Sequence, residues 1–408
     1  MIFWILIVSF IAKALTRMWL VRGTSIWETG YKLYYEIARN LLAEGRFYSP
    51  VSYNTDVYLA PRTPLYPLFI AGVLQLGKHS DVFFILLQAL ISTLTCVWVF
   101  QITKKIASDG AALWAALLCA IFPYSFFHDT QLQETGLYTC LSTLAILSLV
   151  SALEKKTAKA FFVAGIISGL AALTRASHLI HTLIFVPFIF FWIKDRRIPS
   201  AAALVLGLFL CIAPWMIRNH KVVGTFSLTT ETGMGLLKAN HPFVFDFYPA
   251  QSIDKSSRYF LDHLNQVLDE TQQRELEQTK GNEIAQNRWF TQWAFNYMKQ
   301  HPAQTLKGGL IKTSVNFSGI LSPQKGRFEN FAYFLSYWVW TLLAFVGITA
   351  VRRTPFAGIF FILCFSQAAL SFVFWAHTSH RAFLDPLLAV LAGIGMEMLC
   401  KKNQPSLV

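Results

Sequence analysis

Glu28, Arg62, Glu134, Arg175, Arg218, His380 and Arg381 are ionisable residues at or near the ends of long apolar runs. Their types suggest one kind of chemistry. A carboxylate beside a leaving group can take the proton of an attacking hydroxyl or amine. An arginine presents a planar, bidentate fork that matches a phosphate. Together they are the parts needed to move a group off a phosphate. Arg62 lies in Pro61-Arg62-Thr63-Pro64. Proline fixes its own φ and holds the preceding residue extended, so Arg62 is expected on a stiff backbone.

The elements that must position these residues are written in the composition. The chain has 408 residues, 54% hydrophobic and 14% charged. A soluble domain carries about 25% charged residues. Apolar runs of about 17–22 residues read as membrane helices. In lipid a helix satisfies its own backbone, so the expected class is an all-α polytopic transmembrane bundle. Candidate spans lie near 2–20, 82–102, 111–127, 136–153, 159–175, 178–194, 199–216, 331–350, 355–375 and 383–400. The first is read as a retained span, since no small-residue cleavage site follows it.

The formal charge is +13. Basic pairs fall at Lys104-Lys105, Lys155-Lys156, Lys194 to Arg197, Arg352-Arg353 and Lys401-Lys402. They sit in short loops, where they report topology and not nucleic-acid binding. The positive-inside rule puts all five clusters in the cytoplasm if 65–76 and 305–321 do not span. About ten spans result, with both termini inside. Every residue named at the outset then falls at the outer membrane face. Arginines gathered there run against the usual bias, and an anionic ligand would explain them. A lone arginine at a span end could equally snorkel. A lone acid at a helix start could serve the helix dipole.

Three segments are expected: 1–216, a transmembrane catalytic module with an external loop at 21–81; 217–330, external and mainly helical; and 331–408, the C-terminal spans. In the first loop an amphipathic helix is expected from Leu33 to Glu44. In 217–330, Ser257–Glu270 and Gln272–Lys299 show helical spacing. Cys96, Cys119, Cys140, Cys211, Cys364 and Cys400 lie in apolar segments without a CxxC pair, which suits small buried hydrophobes. His128, His178, His181 and His241 lack metal-ligand spacing, so no metal is expected. No phosphate-loop motif points to ATP, and no cofactor is expected.

The order and spacing of several motifs resemble the GT-C superfamily of polytopic glycosyltransferases. The branch is that of bacterial proteins similar to protein O-mannosyltransferases and lipid A aminoarabinose transferases. The markers are Tyr34-Tyr35-Glu36-Ile37-Ala38-Arg39-Asn40-Leu41, Gly45-Arg46-Phe47, Arg62-Thr63-Pro64-Leu65-Tyr66-Pro67 and Glu134. Further along come Leu173-Thr174-Arg175, Pro214-Trp215 with Arg218-Asn219, Asn240, and Arg381 with Asp385-Pro386-Leu387. The resemblance implies an inverting enzyme of the bacterial inner membrane, its site facing the periplasm or exterior. It would take a sugar from a polyprenyl-phosphate donor and give it to a glycan, lipid or protein acceptor. Glu28 and Glu134 are the implied catalytic acids. Arg62, Arg175 and Arg381 would hold the donor phosphate. Tyr66, Arg218, Asn240 and His380 are further substrate-binding candidates. Glu28 departs from the family's usual Asp, and Thr63 replaces the first proline of its Arg/Lys-Pro-Pro-Leu-Tyr motif. The competing class is a lipid-linked sugar flippase or other transporter, which would place ionisable groups in mid-membrane.

Overall fold

The computed structural model describes residues 1–408 apart from 29, 51–56, 128–130, 252, 321–325, 375–376 and 403–408. Seven of its helices are long and apolar enough to cross a membrane: Ile2–Leu20, Asp81–Ile106, Thr135–Lys155, Arg197–Val223, Arg327–Val351, Pro355–Val373 and Thr378–Lys401. Four shorter apolar helices are Leu65–Gly77, Asp109–Ile121, Ala158–Thr174 and His178–Trp192. The ten runs expected to span map onto the seven and onto the last three of the short ones. Leu65–Gly77, expected not to span, has 13 residues. At 1.5 Å per residue that is about 20 Å, against about 30 Å of hydrocarbon; Asp109–Ile121, expected to span, has the same 13 residues.

Local sequence explains where helices begin and end. The side chains of Ser80, Ser108, Thr157 and Asn282 accept from the backbone N–H groups of Phe83, Ala111, Ala160 and Ala285. Each thereby satisfies a donor that a helix start leaves open. The amphipathic helix of the first loop runs Lys32–Glu44 and stops at Gly45, whose φ of 67° is left-handed. The expected Gln272–Lys299 helix is two helices, Glu270–Gln278 and Glu283–Gln300. Gly281 takes a φ of 74° and Asn282 caps the second, so the backbone turns between them. The Ser257–Glu270 run is likewise divided, into Ile253–Asp262 and Leu264–Val267.

The core centres on the last helix, where residues 381–395 are all buried. That helix packs on Arg327–Val351, Asp109–Ile121 and Asp81–Ile106. Helices Ala158–Thr174 and Arg197–Val223 touch along their backbones. A Cβ on Gly165 would fall 2.1 Å from the Leu204 carbonyl oxygen. Only glycine allows that approach, as at many membrane helix crossings. The segment 217–330 has a smaller core of its own, around Met234, Leu237, Phe260, Leu268, Trp289 and Phe290.

That segment grips the first loop. The Glu283 carboxylate accepts from the backbone N–H of Leu59 at 3.1 Å and of Ala60 at 3.3 Å, and from the Thr230 hydroxyl at 2.6 Å. The Thr230 N–H donates to the Ala60 carbonyl at 2.9 Å, and the Thr229 hydroxyl to that of Pro61 at 2.8 Å. Arg218 Nη2 donates to the Phe47 carbonyl at 3.0 Å, and Nη1 to that of Leu59. The backbone of residues 59–61 is therefore fixed just before Arg62.

Candidate active site

Glu134 caps the helix Thr135–Lys155, and Arg175 ends the helix Ala158–Thr174. The two side chains meet in a half-buried pair. Arg175 Nε and Nη2 both donate to Glu134 Oε1, at 3.1 and 2.7 Å. Nη2 also donates to Thr135 Oγ1 at 3.1 Å, and Nη1 to the Ser379 carbonyl at 3.0 Å. The guanidinium lies 4.7 Å from the centre of the Tyr138 ring. The Tyr34 hydroxyl, from the amphipathic helix, donates to the other oxygen of Glu134 at 2.9 Å.

Electrostatics follow from this geometry. Burial by itself raises the Glu134 carboxyl, but the charge and hydrogen bonds of Arg175 outweigh it and hold the group at about 2. Burial, and then the Glu134 charge, push the Tyr34 phenol well above its ordinary value. Tyr34 is therefore a donor at neutral pH. Glu134 is an ionised but weakly basic carboxylate.

Arg62 comes from the other side of the same cluster. Its Nη1 meets Glu231 and donates to the Pro61 carbonyl at 3.1 Å. Among the described residues its Nε and Nη2 meet no acceptor. Its side chain is 30% exposed. The Thr63 hydroxyl donates to the Thr174 carbonyl at 2.9 Å, which brings the backbone beside Arg62 next to the backbone beside Arg175. The Tyr66 ring is buried and meets the Tyr34 ring edge-on, with centroids 4.9 Å apart.

Glu28 ends the short 3-10 turn Ile26–Glu28, and its side chain lies outside the described residues. Beyond it, Gly30 bridges Leu132, and the Tyr31 N–H donates to the Leu132 carbonyl at 3.1 Å. The first external loop is thus stitched to the stretch that leads into Glu134. Of the weaker acids, Asp56 and Asp129 fall outside the described residues, and Glu36 accepts from the Ser49 hydroxyl at 3.2 Å.

The other candidates have partners of their own. Arg381 is 2% exposed; it binds Asp385 at 2.6 Å, the Asn316 carbonyl at 2.9 Å and the Tyr333 hydroxyl. Arg218 holds loop carbonyls and lies over the rings of Trp215 and Phe47. Asn240 donates to the Leu236 and Val373 carbonyls and accepts from Lys312 at 3.2 Å. The His380 ring stands edge-on to His377, with centroids 5.7 Å apart.

Sequence reasoning passed over Glu231 and Lys13. Nothing in a single sequence pairs Glu231 with Arg62 across 169 positions. Lys13 did carry a signal. It lies inside the first apolar run with Arg17 four residues on, and intramembrane ionisable residues warrant a functional reading.

Residues 61–217 match the model of a family described as dolichyl-phosphate-mannose-protein mannosyltransferase. No curated protein matches the chain by sequence. Among solved structures, the oligosaccharyltransferase of Archaeoglobus fulgidus, tethered to an acceptor peptide, superposes with a TM-score of 0.54 at 14% identity. The match covers 97% of this chain and 50% of that one, so the chain spans about half the length of that relative. The same archaeal protein has been solved with an inhibitory peptide and a dolichol-phosphate, with the same score, identity and coverage. ArnT from Cupriavidus metallidurans, bound to undecaprenyl phosphate, gives a TM-score of 0.43 at 12% identity over 97% of this chain and 78% of that one. The chain thus shares the fold of the archaeal oligosaccharyltransferase, and residues 61–217 match the model of the family described as dolichyl-phosphate-mannose-protein mannosyltransferase.

Proposed function

We propose that the protein is an integral-membrane glycosyltransferase. It transfers a sugar from a polyprenyl-phosphate donor to a glycan, lipid or protein acceptor at the outer face of the bacterial inner membrane. The observation that carries this is the Arg175–Glu134–Tyr34 cluster, with Arg62 held beside it through the Thr63–Thr174 bond. The family match over 61–217 and the dolichol-phosphate in the archaeal relative support a lipid-phosphate donor.

The two arginines have different work to do. The donors of Arg175 are taken up by Glu134, Thr135 and Ser379, so it contributes fixed positive charge. Arg62 keeps Nε and Nη2 open toward a half-exposed space, so it makes the direct phosphate contact. In the inverting reaction the acceptor oxygen bonds to the anomeric carbon. The bond from that carbon to the phosphate oxygen breaks, and the electron pair leaves with the lipid phosphate. Fixed cations in a water-poor pocket stabilise that charge as it forms. Glu134 orients Arg175, and the acceptor's proton goes to Glu28, two residues before the Gly30–Leu132 bridge.

Purified protein incubated with a panel of undecaprenyl-phosphate sugars should release sugar from at least one, and Arg62→Ala should abolish most of the release. No release from any donor sinks the proposal. One observation favours a second reading: Lys13 and Asp385 are buried within long apolar helices, as in transporters. A flippase would move a labelled lipid-linked sugar across a vesicle membrane without cleaving it.

A further inference from the structure

A cleft of about 500 Å³, counting its open mouth, lies between the first helix, helices Asp81–Ile106, Asp109–Ile121 and Thr135–Lys155, and the start of the last helix. Its polar wall consists of Lys13, Ser92, Thr95, Thr135, Thr139 and Asp385. Phe122 and Tyr124 give it an aromatic side. Two of its groups are costly to bury and are not fully used by the fold. Lys13 is wholly buried and has three donors, with only Ser92 Oγ at 2.9 Å and Cys96 Sγ at 3.8 Å to take them. It meets no carboxylate among the described residues. Asp385 gives one oxygen to Arg381 at 2.6 Å. Its other oxygen is buried on the cleft with no partner among the described residues.

A buried donor and a buried acceptor on facing walls call for a ligand that both accepts and donates. Hydroxyl groups do both. Several hydroxyls on a ring, against a carboxylate, an ammonium, threonines and an aromatic side, match this lining. The cleft also adjoins the proposed phosphate site, because Thr135 lines it and accepts from Arg175 at 3.1 Å. A sugar is one bond away from its phosphate oxygen, so the two sites can hold two parts of one donor. We infer that the Lys13–Asp385 cleft is the binding pocket for the sugar ring of the lipid-linked donor. This rests on the glycosyltransferase reading above. Lys13 donates to a ring hydroxyl, Asp385 accepts from one, and the two decide which sugar is accepted. The inference also accounts for charges that a lipid-facing helix would otherwise exclude.

Cys119 lines the same cleft and reports its occupancy directly. A variant keeping Cys119 as its single cysteine would be treated with a small methanethiosulfonate reagent. Undecaprenyl-phosphate sugars that the protein cleaves should protect Cys119, and undecaprenyl phosphate alone should not. Lys13→Met should raise KM for the cleaved donor about tenfold and leave the affinity for undecaprenyl phosphate unchanged. Asp385→Asn should do the same; since it also removes the partner of Arg381, Lys13→Met is the deciding variant. Equal protection by the sugar-free lipid, no protection by a cleaved donor, or no labelling of Cys119 at all would each overturn the pocket. If no donor is cleaved in the first place, it is the glycosyltransferase reading that has failed.

Discussion

The Thr63 hydroxyl donates a 2.9 Å hydrogen bond to the carbonyl oxygen of Thr174. Thr174 is the last residue of its helix, and its carbonyl is one of those a helix end leaves without a partner. Arg62 stands immediately before Thr63, and Arg175 immediately after Thr174. One bond therefore sets the spacing of the two cations proposed to hold the phosphate. A proline at 63 has no hydroxyl to make it.

Thr63→Val keeps the shape of the side chain and removes that bond. Both partners are buried, so the Thr174 carbonyl is left unsatisfied, at a cost of roughly 1–3 kcal/mol. The expected outcome is a lower melting temperature in detergent and a higher donor KM. Thr63→Ser, which restores the hydroxyl, should recover most of both. A valine variant with unchanged KM would show that this bond does not set the arginines.

Arg62→Ala should weaken turnover by about 2–4 kcal/mol in transition-state terms, since a fixed cation is removed from a leaving phosphate. Arg62→Lys should keep part of the activity, because the charge survives and the fork is lost. The check is kcat/KM for whichever polyprenyl-phosphate sugar is cleaved. Full activity of Arg62→Ala would take Arg62 out of the site.

The placement of Arg62 depends on a distant acid, which makes Glu283 testable. Glu283 accepts from the N–H groups of Leu59 and Ala60. Glu283→Gln keeps the size but is neutral and lacks the second acceptor oxygen, so both bonds lose charge assistance and one of those donors loses its acceptor. The expected result is a raised donor KM with kcat nearly kept, measured against wild type. Loss confined to kcat would contradict a role in positioning the loop.

How far the sequence can be read depends on the range of the interaction. Apolar runs, serine and asparagine caps and Gly45 are local signals, and they gave the helices and the class. Hydropathy and loop charge together led to the expectation that Arg62, Glu134 and Arg175 share one membrane face, and Glu134 and Arg175 do meet. The partners of Arg381 and Arg218 did not follow, because an arginine's spacing says nothing of which carbonyl or carboxylate it meets. Arg381 finds Asp385 one turn away, and Arg218 finds Leu59 across 159 positions. The break at Gly281 was locally visible, but a helical pattern that runs on through it hid it.

The two acids should separate cleanly. Glu134 is held at about 2 against an ordinary 4.5, so it is ionised throughout the neutral range. A carboxyl whose value is depressed by folding adds stability that is complete above its unfolded value and is lost as pH falls through the folded one. Wild type should therefore melt higher than Glu134→Gln by a constant margin above pH 4.5, and the margin should shrink as pH falls toward 2. Because Glu134 orients Arg175, its amide variant should raise donor KM as well as lower kcat. Glu28 is predicted to behave differently. Glu28→Gln should cut turnover by about 10²–10⁴-fold at saturating donor and leave donor affinity unchanged, as loss of a proton acceptor does. Measured kcat and KM for both variants, with melting curves as the folding control, decide it. A Glu28→Gln enzyme with wild-type kcat would exclude Glu28 as the proton acceptor, and a Glu134→Gln enzyme that lost kcat alone would return that role to Glu134.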